Sequence, residues 1–190
     1  MITALEADIP RVSPTDPTMD LKAKQGSNPP RSRLEHLQSL AVFGGLTEAT
    51  LRYLLEESAT HRVAPGEYFY RQGEPAGHFY VLERGQVLLS VHDGHKEHLL
   101  KAFTPGDCFG EVSLIDLGPR SGSAQAVAEA SAIAIGSELL YNLYERDVAQ
   151  FSVLFMNLTR EICRRLRDAE ARLALTWRTR DQQREEHQDS

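Results

Sequence analysis

The chain has 190 residues, 41% hydrophobic and 25% charged, the proportions of a globular protein with one ordinary domain and room for terminal extensions. Its formal net charge of −6, from 27 acids against 21 bases, argues against a protein whose main task is to neutralise nucleic-acid phosphates. No stretch approaches the roughly 18 consecutive apolar residues of a membrane span. Met1–Pro10 carries Glu6 and Asp8 and lacks the basic start and apolar run of a secretory signal, so a cytoplasmic location is expected. The two cysteines, Cys108 and Cys163, lie far apart within apolar patterns and are expected to be buried small hydrophobes.

Residues 1–33 hold Pro10, Pro14, Pro17, Pro29 and Pro30 among Ser, Thr and Asp, a composition expected to give a disordered leader. From Leu34 the pattern turns helical through Leu37, Leu40 and Ala41, and Phe43-Gly44-Gly45-Leu46 breaks it. Thr47 is placed to cap a second helix carrying Leu51, Leu54 and Leu55.

After Ser58 short β-like runs alternate with glycine turns. The runs are Thr60–Val63, Tyr68–Tyr70, His78–Leu82, Gln86–Val91, Glu97–Phe103, Ser123–Ala128 and Ala132–Ile135. Short strands at this spacing, each closed by a turn residue, predict an all-β sandwich or barrel. Asp93-Gly94 suits the two central positions of a hairpin turn. The helical period returns at Ser137, with a short helix through Leu139, Leu140 and Leu143. A long helix is expected from Asp147, carrying Phe151, Leu154, Phe155, Leu158, Ile162, Leu166, Ala169 and Leu173. Residues 179–190 read as a flexible tail, leaving 34–178 as the domain.

The chemistry concentrates in Phe109–Ser123. Gly110 allows close approach of the backbone to a ligand, and a helical turn over Ser113–Leu117 would present free N–H groups and a positive dipole end. Arg120 follows Gly118-Pro119, and its planar, permanently charged fork can engage two phosphate oxygens. Glu111 accepts hydrogen bonds when ionised and so suits a sugar hydroxyl. An anionic ligand with one free ribose hydroxyl satisfies both residues.

This segment resembles the phosphate-binding cassette of the cyclic nucleotide-binding domain family, of the catabolite activator and kinase regulatory subunit type. The shared pattern is Phe-Gly-Glu, an aliphatic stretch, then Pro-Arg-small-small-Ser/Thr, with Gly66, Gly73, Gly85 and Gly106 at the family's turn positions. The resemblance covers about Leu34 to Leu173. It implies an antiparallel β-roll (jelly roll), mainly β with flanking helices, with a short helix and a long C-terminal helix. It also implies a ligand-binding set of Phe109, Gly110, Glu111, Val112, Ser113, Arg120, Ser121 and Ser123. In that set Glu111 would take the ribose 2′-OH, and Arg120 the cyclic phosphate with the N–H groups of Ser113 and Ser121. Ser123 would lie near the base, and Leu114 would be an apolar latch toward the helix around Leu139–Leu143.

Two departures stand out. After Arg164-Arg165-Leu166 the chain continues Arg167-Asp168-Ala169-Glu170, lacking the Thr-Ser pair that contacts adenine in the catabolite activator. Base recognition therefore leans to cAMP over cGMP without being fixed, and Ser121 could serve a guanine. Gly122 stands where the family usually has alanine, and the shorter side chain is expected to be tolerated.

His92, His95 and His98 around the hairpin tip read as solvated surface residues, and no metal is expected. Arg160, Arg164 and Arg167 read as an exposed face laced by Glu161–Arg165 and Arg164–Asp168 pairs. The stripe Leu158, Ile162, Ala169, Leu173 suggests a homodimer through the C-terminal helix. No catalytic triad, metal constellation or Walker-type loop appears, so no enzyme is expected. The residues after Arg178 are too few for a DNA-reading helix-turn-helix, so neither nucleic acid nor membrane is an expected partner. The expected function is a cyclic nucleotide sensor that repositions its C-terminal helices to signal to a protein effector. The alternatives are a ligand-free scaffold and a sensor of another effector such as cyclic di-GMP.

Overall fold

Short β-rich runs broken by turn residues cannot bury a face alone and must pair, and they do so in two sheets. The computed structural model describes residues 31–188, with side chains described for 33–178. Residues 1–30 of the expected leader lie outside the described residues, and 31–33 open helix α1 (Arg31–Ser39). The chain divides into two compact units, one of residues 54–139 and the other of residues 31–53 with 140–188.

The first unit holds strands β1 (Ala59–Val63), β2 (Tyr68–Tyr70), β3 (His78–Arg84), β4 (Val87–His92), β5 (Glu97–Phe103), β6 (Cys108–Phe109), β7 (Ser123–Ala126) and β8 (Ala130–Gly136). They form two four-stranded antiparallel sheets, ordered β1-β8-β3-β6 and β2-β7-β4-β5. This is the β-roll that the strand pattern and the family resemblance implied. Its buried core includes Val63, Phe69, Tyr80, Leu82, Val87, Phe103 and Phe109, filled in by Ala124, Ala126, Ala130, Ala132 and Ala134. The run of small residues along β7 and β8 leaves room for the large rings of β2, β3 and β6. Strand β6 has only two residues and no alternation to betray it in the sequence.

The hairpin between β4 and β5 differs from its expected register. Asp93 N–H donates to the Lys96 carbonyl at 3.2 Å, so Gly94 and His95 are the central residues, with only Gly94 at positive φ (94°). Asp93 instead closes the turn with its side chain, accepting from the N–H groups of His95 (2.9 Å) and Lys96 (3.0 Å). Those bonds, first that from Lys96, and the His98 imidazole hold its carboxyl well below the usual carboxylate range. His92 and His95 are exposed, and no group of three His, Cys, Asp or Glu among the described residues could hold a metal ion.

The second unit contains α1, the first part of α2 (Glu48–Glu57), most of α4 (Ser137–Arg146) and α5 (Val148–Gln188). Thr47 caps α2, its hydroxyl accepting from Thr50 N–H at 3.2 Å, and Asp147 caps α5 by accepting from Gln150 N–H at 3.0 Å. Buried Asn157 ties α5 to the loop after α1 by donating to the carbonyls of Val42 (3.2 Å) and Gly44 (2.8 Å). Helix α5 runs through Gln188, so its backbone extends into the segment expected as a tail. No described helix is long and apolar enough to cross a membrane.

Two expectations along α5 are corrected. Cys108 is buried, but Cys163 is exposed, because it lies one residue past Ile162 and so about 100° around the helix from it. Glu161 does pair with Arg165 (3.5 Å), yet Arg164 reaches back to Glu161 (2.9 Å) and makes no pair with Asp168.

Gly85, in the turn between β3 and β4, is the tightest backbone position of the roll. Its φ is 87°, and a Cβ there would stand 2.5 Å from the Glu129 carbonyl oxygen and 2.7 Å from Ala130 Cα. Gly85→Ala combines left-handed strain with a backbone clash, and urea unfolding should show a loss of about 2–4 kcal/mol.

Candidate functional site

The cassette begins where β6 ends. Phe109 is fully buried, stacked on Tyr80 (5.3 Å) and Phe103 (5.2 Å) and set edge-on to Phe69 (5.1 Å). Its side chain therefore belongs to the core, and what it offers the site is support. The next residue, Gly110, has φ 79°, and a Cβ would meet Arg120 Nη1 at 2.7 Å and Tyr70 Cε1 at 3.1 Å. The space that glycine leaves is thus taken by these two side chains.

Helix α3 (Val112–Ile115) is a single turn, earlier and shorter than the expected Ser113–Leu117. It stops because Leu117 is left-handed (φ 57°) and Gly118 N–H bonds to Asp116 Oδ1 at 2.9 Å. The first bond within the turn is donated by Leu114 to the Glu111 carbonyl (3.1 Å), so the N–H groups of Val112 and Ser113 precede that ladder. Ser113 is buried and its hydroxyl donates to the Pro119 carbonyl at 3.0 Å, closing the cassette on itself. Leu114 is half-buried and Ser121 exposed.

Glu111 is completely buried (0% exposed) and Arg120 nearly so (4%). Arg120 donates through Nη1 to the Gly110 carbonyl and through Nη2 to the His78 carbonyl, each at 2.8 Å. Its guanidinium carbon lies 4.1 Å from the centre of the Tyr70 ring and 5.8 Å from that of Tyr80. Among the described residues no carboxylate forms an ion pair with it, and its buried Nε has no hydrogen-bond partner.

The Arg120 backbone is equally fixed. Its N–H donates to the Glu74 carbonyl (2.9 Å) and its carbonyl accepts from Gly73 N–H (2.8 Å). Ser123 takes part in the same lacing, its hydroxyl accepting from Gln72 N–H at 3.0 Å, and the Gln72 side chain accepts from His92 N–H at 2.8 Å. The turn between β2 and β3 therefore clamps the far end of the cassette. The predicted residues Gly110, Glu111, Val112, Ser113, Arg120, Ser121 and Ser123 share this one loop system. Tyr70, Gln72 and the His78 carbonyl join them from β2, the turn after it and β3, outside the Phe109–Ser123 segment.

Gly122 is more constrained than its comparison with alanine suggested. A Cβ would stand 2.6 Å from the Ser90 carbonyl oxygen and 3.2 Å from Leu89 Cδ1. Glycine is required here, and Gly122→Ala should destabilise the roll by about 1–3 kcal/mol in thermal or urea unfolding.

The model of the cyclic nucleotide-binding domain matches residues 60–147. The chain is 29% identical over 142 residues to the CRP-like cAMP-activated global transcriptional regulator of Mycobacterium tuberculosis, covering 74% of this chain and 61% of that one. It is similar to the crystal structure of the Thermus thermophilus catabolite activator protein, with TM-score 0.63 and 31% identity over 72% of this chain and 62% of the other. A cyclic nucleotide-binding domain from Methylobacillus flagellatus superposes with TM-score 0.68 at 20% identity, over 75% of this chain and 81% of that one, a likeness of fold. The chain thus spans less than two thirds of the two regulators' length. Residues 60–147, which contain the whole cassette, match the cyclic nucleotide-binding domain family, and the likeness to its regulators extends over about three quarters of the chain.

Proposed function

We propose that this protein is a cyclic nucleotide sensor, with cAMP favoured over cGMP, that signals to a protein effector by ligand-dependent repositioning of its C-terminal helices. One observation carries it. Arg120 is a buried cation whose neighbours are two backbone carbonyls and two aromatic rings, with no ion-paired carboxylate among the described residues. Burying a charge is costly unless an opposite charge and hydrogen bonds compensate it. A cyclic phosphate supplies both, through the donors that the carbonyls leave over and the N–H groups of Ser113 and Ser121.

Glu111 completes the ligand's description. A fully buried carboxylate is stabilised by donors brought to it, and the ribose 2′-OH is a donor of that kind. The lean to cAMP draws on the Mycobacterium relative, named as cAMP-activated. Because α5 carries Arg167-Asp168-Ala169-Glu170 and no hydroxyl in that stretch, the base is read by other groups, for which the cassette offers the hydroxyls of Ser121 and Ser123. Phe109 and Val112 support the loop, and Leu114 relays occupancy outward as the latch. A sensor of this kind needs no metal, nucleic acid, membrane or catalysis and would act in the cytoplasm.

Helix α5 adds a second element. Leu166 and Leu173 are 57% and 49% exposed and seven residues apart, the repeat of a coiled-coil seam. Pairing of two copies along this helix would give ligand-driven movement a structure to act on. Equilibrium sedimentation at high micromolar concentration should show a dimer that Leu166→Glu with Leu173→Glu converts to monomer. A monomeric parent, with and without cAMP, ends the dimer proposal.

Calorimetric titration with cAMP, cGMP and cyclic di-GMP tests the ligand. The parent should bind cAMP most tightly, and Arg120→Ala should weaken it at least about 100-fold, as loss of a buried charge-assisted contact does. Equal binding by Arg120→Ala removes the pocket assignment. Heat with cyclic di-GMP alone would favour the other effector class, and no heat with any of the three would leave a scaffold.

A further inference from the structure

Strand β2 breaks the alternation that a strand imposes on its side chains. Phe69 and Tyr70 are consecutive, yet both are buried, at 3% and 7% exposure. The pairing with β7 explains it, since Tyr68 faces Gln125 whereas Tyr70 faces Ala124, a register shift within two residues. Such a bulge re-aims one side chain at some cost in sheet regularity, and bulges concentrate beside functional sites. Here it turns Tyr70 onto Arg120, with the guanidinium carbon 4.1 Å from the ring centre. Gly110 is glycine partly for the same reason, because a Cβ would press on Tyr70 Cε1 at 3.1 Å.

We propose that Tyr70 is a positioning residue for the anion site, its ring face holding the Arg120 guanidinium in the orientation that the Gly110 and His78 carbonyls define. This rests on Arg120 being the group that takes the phosphate. Two carbonyls fix two edges of the planar cation but leave it free to tilt about the line joining them. A ring against its face removes that freedom, and the ring's negative face also lowers the cost of burying the charge. The donors left over, Nε among them, are then presented in a set plane to the incoming phosphate oxygens. Tyr80, stacked on Tyr70 at 6.0 Å, backs the ring from the core.

The test changes the ring's electrostatics and leaves its shape. Tyr70→Phe is the reference, followed by phenylalanines bearing one, two and three ring fluorines at position 70 in the full chain. Each is titrated with cAMP and with cGMP by calorimetry, and its thermal unfolding is recorded. Tyr70→Phe should bind within about threefold of the parent, and affinity should then fall stepwise with each fluorine, by about tenfold in all. A side chain that merely filled space would give constant affinity across the series, and that result overturns the proposal while leaving the ligand assignment standing. A parent that binds neither nucleotide defeats the ligand assignment itself, and this inference with it. Tyr70→Leu, of smaller volume and no ring face, should weaken binding at least as much as the trifluoro variant. Unchanged binding by Tyr70→Leu also overturns it.

Discussion

A guanidinium buried against two main-chain carbonyls and a tyrosine ring is the interaction on which the rest of the site depends. Arginine cannot shed its charge when it is desolvated, as a lysine or a histidine can. The protein must therefore surround Arg120 with dipoles and polarisable faces. It does so with the Gly110 and His78 carbonyls and with Tyr70. Each of these partners places a demand on the chain: Gly110 must lack a Cβ, β2 must bulge, and β3 must turn its His78 carbonyl inward. Local features that look unrelated along the sequence are thus consequences of one buried cation.

The loop that carries Arg120 is held by a second layer of contacts. The β2–β3 turn binds the Arg120 backbone from both sides and takes hold of the Ser123 hydroxyl through Gln72 N–H. The Ser113 hydroxyl and the Asp116 carboxylate tie the front of the loop to its end at Pro119 and Gly118. A short loop with this many internal bonds loses little entropy when a ligand arrives, which is how preorganisation translates into affinity. Leu117, held left-handed and 60% exposed, is where the loop stores strain in meeting those constraints.

What the sequence disclosed and what it hid divide along physical lines. Gly66, Gly73, Gly85 and Gly106 could be recognised as turns because backbone that needs positive φ restricts residue choice, and all four have positive φ. The strands were legible as short β-like runs closed by turn residues, and Glu111 and Arg120 stood out because their chemistry has few uses at that spacing. Strand β6 was hidden because two residues carry no period. Tyr70 was hidden because a bulge cancels the alternation by which an inward position is recognised. Cys163 misled for the complementary reason: its apolar neighbours share its helix but not its face. Gly122 looked like a tolerated shortening, yet the Ser90 carbonyl that excludes any Cβ comes from a strand 32 positions away and leaves no local trace.

The net charge of −6 and the proposed affinity for an anion would act over different distances. Charges on the protein surface are screened beyond about 8 Å at physiological ionic strength, so the overall acidity does little to repel a small ligand already at the cassette. Inside the roll the effective dielectric falls, and in the proposed complex a single cation in contact with the phosphate would outweigh a diffuse excess of acids in solvent. The same desolvation links ligand to fold. An anion that compensates the buried Arg120 charge, as proposed, would stabilise the folded state alone. If Arg120 takes the proposed phosphate, occupancy of the site and stability of the unit that forms it are one equilibrium seen from two ends, and the proposed sensor tightens its fold as it binds.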